Sequence, residues 1–131
     1  SCLKHFIGYS VPASGKDRTE AYISNLELWE QHIASFQAGV DAGASTVMVN
    51  SASVNGLPIH SSRYHLTELL RDKMGFQGMI VSDWEDVIRL HTRHKVARNA
   101  REAVKMSIQA GLDMRAWFQT IILFITTWLI W

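Results

Sequence analysis

The chain has 131 residues, enough for one modest domain, and its formal net charge is +1. So small a charge argues against a strong electrostatic attraction to nucleic acid or to anionic lipid. The single cysteine, Cys2, excludes an internal disulfide and a cysteine metal cluster. No basic segment followed by an apolar one opens the chain, so no signal peptide is visible. Because the first residues already resemble a strand, we expect the sequence to begin inside a larger protein.

Four short strands alternating with three helices are predicted along residues 1–114. The first strand ends near Phe6 and leads into a polar loop, 8–19, whose length of roughly a dozen residues suggests a functional role. Further strands are predicted at 46–50, 79–81 and from 112 onward. Helically spaced apolar residues predict helices over 26–40, over 64–70, and from about residue 99 to Gly111. Asn55-Gly56 is a turn signal within the loop that follows the second strand.

The alternation of strands and helices predicts an α/β fold with a parallel sheet. Helix–glycine–strand junctions recur at Gly43, Gly75 and Gly111. A repeat of roughly 30 to 35 residues fits either half of an eight-stranded barrel or a doubly wound sheet. No Gly-x-Gly-x-x-Gly motif follows any predicted strand, so a dinucleotide site has no support. A closed barrel needs about 250 residues, so this chain holds about half of one.

The segment 79–86, Met-Ile-Val-Ser-Asp-Trp-Glu-Asp, carries the strongest chemical signal. Its apolar run predicts a buried parallel strand, which would place Asp83 at the carboxyl end, where barrel enzymes keep their chemistry. A carboxylate there can attack an anomeric carbon, and the indole of Trp84 can cover the apolar face of a pyranose. Ser82 and Glu85 also fit a capping box, so a second interpretation is that these residues only start a helix.

Residues 115–131 differ in composition from everything before them. Arg115 carries their only charge, and three of the five tryptophans fall here. The apolar run is shorter than the about 20 residues that a membrane span needs. A core strand, a core helix and a truncated span are possible interpretations, but we favour a tail produced by a shifted reading frame or a cloning scar. We therefore predict one unit at 1–114 and a separate apolar tail at 115–131.

An ordered series of motifs resembles the catalytic barrel of glycoside hydrolase family 3, the β-glucosidase family. The matching pieces are residues 4–6 with Gly8, 15–19, 47–51 with Asn55 and Gly56, 69–72 with 75–78, 81–85 and 110–114. The resemblance covers 1–114 in order and implies a partial (β/α)8 TIM-type barrel, its C-terminal half, about strands 5 to 8. With Ser82 as a cap, Asp83 can still carry the chemistry.

The resemblance also implies site residues and an activity. It implies a retaining hydrolase that removes terminal β-linked sugars, often glucose, through a covalent intermediate on Asp83. Lys4 and His5 would bind sugar hydroxyls, and Met48 would lie against the sugar. Trp84 would flank the neighbouring subsite. The resemblance implies no cofactor, and the expected partner is a β-linked oligosaccharide or glucoside.

Two arginines complete the implied substrate site. Arg89 falls where some members place an arginine near the neighbouring subsite. Arg18, in the loop after the Lys-His pair, would help to shape the pocket.

The chain departs from the family in ways that affect catalysis. Members usually take the acid/base carboxylate from a second domain after the barrel, and the first half of the barrel supplies an acid and an arginine that grip the terminal sugar. Many members carry an aromatic residue where this chain has Ser51. We therefore expect this polypeptide to be inactive alone. The alternatives are a non-catalytic carbohydrate-binding remnant and a membrane-associated protein that uses the apolar tail; otherwise no membrane partner is expected.

Other charged and metal-ligating side chains give weaker signals. His91 and His94 are spaced like a helical ligand pair, but the surrounding cations, Arg89, Arg93 and Lys95, oppose metal binding, so no metal site is expected. The basic run from residue 89 to 105 lacks a recognised nucleic-acid motif, and a solvated helix face accounts for it better. No compartment is indicated, although relatives are often secreted or periplasmic.

Overall fold

The structure is a computed structural model that describes residues 1–114. The predicted apolar tail, 115–131, lies outside the described residues. Three strands form one parallel sheet: β1 (Cys2–Phe6), β2 (Thr46–Val49) and β5 (Met79–Val81). Two short strands, β3 (Ser53–Val54) and β4 (Leu57–Pro58), form an antiparallel hairpin.

Four helices connect and follow these strands. Helix α1 covers 25–41 in three consecutive segments, Asn25–Glu27, Leu28–Ile33 and Ala34–Asp41, of which the middle one has wide π-type turns. Helix α2 (Tyr64–Lys73) is also of the wide π type. Helices α3 (Asp86–Thr92) and α4 (Ala100–Ala110) complete the set, and a short 3₁₀ turn, Ile59–Ser61, precedes α2. The three predicted helices are therefore confirmed as α1, α2 and α4.

The sheet follows the order of the chain. Strand β2 lies between β1 and β5, and Met114 forms a parallel bridge to Val81 on the far side of β5. Each strand of this sheet thus lies next to the one that precedes it in the sheet, with a crossover helix between the two. The strand order does not reverse across the sheet. The prediction of an α/β fold with a parallel sheet is confirmed. Sequential neighbours favour the barrel over the doubly wound alternative, in which strand order reverses.

The helices cover one face of the sheet. Val47, Val49 and Ile80 are fully buried in the hydrophobic core, and Leu3 packs against the same cluster. Because side chains alternate along a strand, the residues between them belong to the opposite face. The sheet therefore has one face that is covered by helices and buried in the core. Its second face, which carries Lys4 and Met48, is not covered by these helices.

Local backbone conformations define the loops that flank this sheet. Asn55 and Gly56 both have positive φ angles, 51° and 84°, at the tip of the β3–β4 hairpin, as the Asn-Gly turn signal predicts. Helix α4 begins after Asn99, whose side chain accepts from the Glu102 N–H, and ends at Gly111 with φ 113°.

The predicted capping box at Ser82–Glu85 is wrong. Helix α3 begins three residues later than that motif requires, at Asp86, and its N-cap residue is Glu85, with φ 58° and no side-chain capping bond. The carboxylate of Asp83 instead bonds to its own loop, which keeps residues 82–85 outside the helix. Asp83 and Trp84 therefore lie in the connection between β5 and α3, and they do not form a first helical turn.

Candidate active site

The open face of the sheet aligns two predicted site positions, Lys4 and Met48, with Val81 of β5. Lys4 pairs in register with Met48, and Met48 pairs with Val81, so these three residues form one row across neighbouring strands. Asp83 follows two positions after Val81, beyond the carboxyl end of β5. The carboxyl ends of all three parallel strands meet at this edge, which is where α/β proteins place their reactive groups.

Four groups from separate segments contact the Asp83 carboxylate. Its Oδ1 accepts a hydrogen bond from the Trp84 N–H, and its Oδ2 accepts one from the Ser51 hydroxyl at 3.1 Å. The Nε2 of His5 lies 3.5 Å from Oδ2, and the Nη2 of Arg18 lies 3.9 Å from the same oxygen. The carboxylate is therefore surrounded by donors and cations from β1, from the 8–19 loop and from the end of β2.

These contacts determine the ionisation of Asp83. Burial of the carboxyl alone would raise its pKa, because a charged group loses hydration. The hydrogen bonds from Trp84 and Ser51 act in the opposite direction, as do the charge of Arg18 and that of His5 when it is protonated, and the net effect lowers the pKa below its ordinary value. Asp83 is therefore held as a carboxylate at neutral pH, the form that can act as a nucleophile.

The other predicted binding residues flank this carboxylate. Lys4 is exposed and Met48 is half-buried on the open sheet face, and the indole of Trp84 is 47% exposed. Arg18 borders a cavity of about 10 Å³ in the 8–19 loop, which has room for one water molecule. Lys4, Met48 and Trp84 all keep some exposure to solvent at this site.

Arg89 has a different environment from Arg18. Its guanidinium lies 2.7 Å from Oδ1 of Asp86 and 3.8 Å from Oε2 of Glu85, both at the start of its own helix α3. Asp86 is almost completely buried, so this ion pair compensates a charge that would otherwise lack a counterion. The structure thus places Arg89 one helical turn behind the Asp83 loop.

Two buried polar residues that no sequence motif predicted, His60 and Asp86, lie near the site. His60 and Asp86 are both buried, and Nε2 of His60 and Oδ2 of Asp86 are without a hydrogen-bond partner within the described part of the chain. Burial lowers the pKa of His60 to about 4, against the opposing charges of Asp86 and Asp83. His60 is therefore neutral at neutral pH. His60 lies four residues after Gly56 of the Asn-Gly turn, and no sequence motif pointed to it.

Neither a metal centre nor a membrane helix is found within residues 1–114. No group of three or more His, Cys, Asp or Glu side chains is arranged to hold a metal ion in that range. His91 bonds to the Ala97 carbonyl, and His94 lies 3.2 Å from the Ser53 hydroxyl, so the two rings serve different contacts. None of the described helices has the length and apolarity to cross a membrane.

Comparison with known proteins gives one consistent result. The sequence model described as "Glycosyl hydrolase family 3 N terminal domain" matches residues 1–126. The lysosomal beta glucosidase of Dictyostelium discoideum is 46% identical over 112 residues, which are 85% of this chain and 14% of that protein. A beta-xylosidase of Formosa agariphila is 40% identical over 112 residues, 85% of this chain and 16% of the relative.

Solved structures agree with the sequence matches. A β-glucosidase from Erythrobacter marinus superposes with a TM-score of 0.93 at 32% identity, covering 98% of this chain and 17% of that one. The β-glucosidase of Listeria innocua, solved in complex with glucose, gives a TM-score of 0.83 at 32% identity, covering 87% of this chain and 16% of its own. This chain thus spans about a sixth of the length of these relatives. The resemblance found in the motifs is confirmed, and the chain belongs to glycosyl hydrolase family 3.

Proposed function

We propose that this chain is part of the catalytic barrel of a retaining β-glycosidase, in which Asp83 is the nucleophile. The observation that carries the proposal is the environment of its carboxylate, which lies at the carboxyl end of a parallel strand between His5 and Arg18 with a lowered pKa. Terminal β-linked glucose is the favoured substrate, with xylose as the second choice, because relatives named as β-glucosidases and β-xylosidases match along the same residues.

The proposed reaction proceeds in two steps. A carboxylate oxygen of Asp83 forms a bond to the anomeric carbon while the bond to the leaving oxygen breaks, and a separate acid donates the proton that the leaving group needs. Water then attacks the glycosyl-aspartate ester and restores the free carboxylate, with the same second group acting as a base. Retention of configuration follows from the two inversions.

The surrounding residues receive roles from their positions. His5 and Lys4 would hold sugar hydroxyls at the edge of β1, and Met48, in register with Lys4, would contact the sugar. Trp84, with its largely exposed indole, would flank the next subsite. Arg18 would close the site from the loop side.

Arg89 has a more distant role in this proposal. Its ion pairs with Glu85 and Asp86 anchor the start of α3, so it would support the subsite loop from behind.

The finer architecture is also a proposal. We assign the three strands of the sheet and the position of the Met114 bridge to about strands 5 to 8 of an eight-stranded barrel. The side-chain groups that contact Asp83 within residues 1–114 are an imidazole, a guanidinium and a hydroxyl, with no second carboxyl among them. Retaining chemistry needs a second carboxyl group about 5 to 5.5 Å away. We therefore propose that the 131-residue polypeptide is inactive by itself.

A chimera would test the nucleophile. Residues 1–114 would replace the matching segment of the Erythrobacter marinus β-glucosidase, and the product would be incubated with a 2-deoxy-2-fluoro-β-glucoside that traps the covalent intermediate. We expect peptide mass spectrometry to find the label on Asp83, and Asp83→Asn to abolish it. Asp72→Asn, an exposed carboxylate at the end of α2, is the matched control and should label normally.

Other results would lead to a different conclusion. Saturable binding of glucose without any label on Asp83 would support the carbohydrate-binding remnant. Labelling of another carboxylate would reject Asp83 as the nucleophile. Clear release of nitrophenol from an aryl β-glucoside by the purified 131-residue chain would contradict the proposed inactivity.

A further inference from the structure

Ser51 contacts the proposed nucleophile, although no sequence motif assigns it a role. It follows β2 at the carboxyl edge of the sheet, and only 3% of its surface is exposed. Its hydroxyl donates to Oδ2 of Asp83 at 3.1 Å, across 32 positions of sequence. A buried hydroxyl with a charged acceptor makes a strong hydrogen bond, since little water competes for either group.

We propose that Ser51 is a positioning residue for Asp83, whose hydroxyl fixes the plane of the carboxylate; this inference rests on the proposed function. The Trp84 N–H holds Oδ1 and the Ser51 hydroxyl holds Oδ2, so one hydrogen bond restrains each oxygen. The His5 ring at 3.5 Å and the Arg18 guanidinium at 3.9 Å lie farther from the same oxygen. A carboxylate rotates easily about its last torsion, so losing one of the two bonds frees the plane.

The backbone that presents this hydroxyl is itself rigidly held. Asn50 is fully buried, its N–H donates to the Phe6 carbonyl, and its side-chain amide donates to the Ile7 carbonyl at 2.8 Å. Its Oδ1 accepts from the Ala52 N–H at 3.0 Å, which closes a turn around Ser51. The end of β2 is thus tied to the end of β1, so that Ser51 and His5 keep a fixed relation on the two sides of Asp83.

Two histidine rings lie near the same turn. The backbone of Asn50 acts to raise the pKa of His60 and the backbone of Ser51 acts to raise the pKa of His94, against the larger lowering by burial. His94 also lies 3.2 Å from the hydroxyl of Ser53. Ser51 and Ser53 are therefore two buried serines on one turn with different partners. One hydroxyl bonds to the carboxylate of Asp83 and the other to the ring of His94.

This difference provides a test variant, a control at Ser53 and a conservative replacement at Ser51. Ser51→Ala removes the hydrogen bond to Asp83, Ser53→Ala removes the bond to His94, and Ser51→Thr keeps a hydroxyl at position 51. In the 131-residue chain, carbon-detected NMR would follow the titration of the Asp83 carboxyl with pH. We expect its pKa to rise in Ser51→Ala, to stay at the parent value in Ser53→Ala, and to return toward it in Ser51→Thr.

A kinetic measurement tests the consequence for chemistry. In the chimera described above, trapping by the fluoro-glucoside should slow about tenfold for Ser51→Ala, the loss of one hydrogen bond to a charged group. The Ser53→Ala chimera should react at the parent rate. An Asp83 titration that is identical in the parent and in Ser51→Ala, or that moves equally in Ser53→Ala, would overturn the inference. If the parent chimera never labels while Ser51→Ala still shifts the titration, the proposed function fails and the hold of Ser51 on Asp83 stands.

Discussion

The ion pair between Arg18 and Asp83 permits a prediction that depends on unfolding measurements alone. Arg18→Gln removes the charge and retains a polar side chain of similar reach. At the observed 3.9 Å, Coulomb's law gives about 1 kcal/mol in water and about 4 kcal/mol at an effective dielectric constant of 20. The side chains are 33% and 17% exposed, so solvent screens much of this attraction. We expect a loss of about 1 kcal/mol in the free energy of unfolding at pH 7.

The sign of the pH dependence follows from the ionisation of Asp83. Its folded-state pKa lies below the unfolded value, so its contribution to stability is present above the unfolded pKa and disappears as the pH falls through the folded pKa. In Arg18→Gln the folded pKa moves back toward the unfolded one. The difference in stability between the parent and the variant should therefore be largest near neutral pH and should vanish once Asp83 is protonated.

Urea unfolding at a series of pH values would measure this difference. Arg63→Gln is the control, since its guanidinium lies 4.0 Å from Glu68 and the two side chains are 67% and 51% exposed. We expect almost no effect from this control at any pH. A deficit in Arg18→Gln that persists unchanged in acid, or one that Arg63→Gln reproduces, would refute the assignment of a charge interaction to Arg18 and Asp83.

Two further predictions concern the fold that carries the site. Gly78→Ala would place a Cβ against the backbone oxygen of Ser45, so it should lower the free energy of unfolding by more than about 2 kcal/mol in urea titrations. The control Gly43→Ala, with φ 84° and open space around the new Cβ, should cost about 1 kcal/mol. Burial lowers the pKa of His65 from 6.5 to about 4, so its neutral ring stabilises the fold above pH 6.5 and that contribution falls away toward pH 4. His65→Asn should flatten this part of the stability–pH curve by about 3 kcal/mol, and a curve identical to that of the parent would reject the argument.

The elements of the sheet could be predicted because their signals are local. The apolar run before Asp83 predicts a buried strand by itself, and helical spacing within α1, α2 and α4 requires no knowledge of distant residues. Asn55-Gly56 specifies its turn through backbone conformations that few other pairs adopt. The spacing of the predicted strands and helices did not distinguish a barrel from a doubly wound sheet. That choice depends on which strands become neighbours, and the register of β1, β2 and β5 supplies this information.

The contacts within the site could not be predicted in the same way. Ser51 and Asp83 belong to different strand ends, and their hydrogen bond depends on how Asn50 turns the backbone after β2. The capping-box interpretation failed because Ser82 and Glu85 have the same spacing in sequence whether they cap a helix or lie in a loop. In the structure the Asp83 carboxylate bonds to the next backbone N–H, and α3 starts only at Asp86.

The electrostatics of the site bear on where a second, protonated carboxyl group could lie relative to Asp83. A retaining mechanism needs one carboxyl that stays ionised and another that carries a proton at the working pH. The Arg18 charge, two hydrogen-bond donors and, when protonated, His5 hold Asp83 in the ionised form, so the same environment would also suppress the proton on any second carboxyl placed among them. If Asp83 is the nucleophile, as proposed, the acid would therefore approach from the opposite side of the sugar, away from His5 and Arg18.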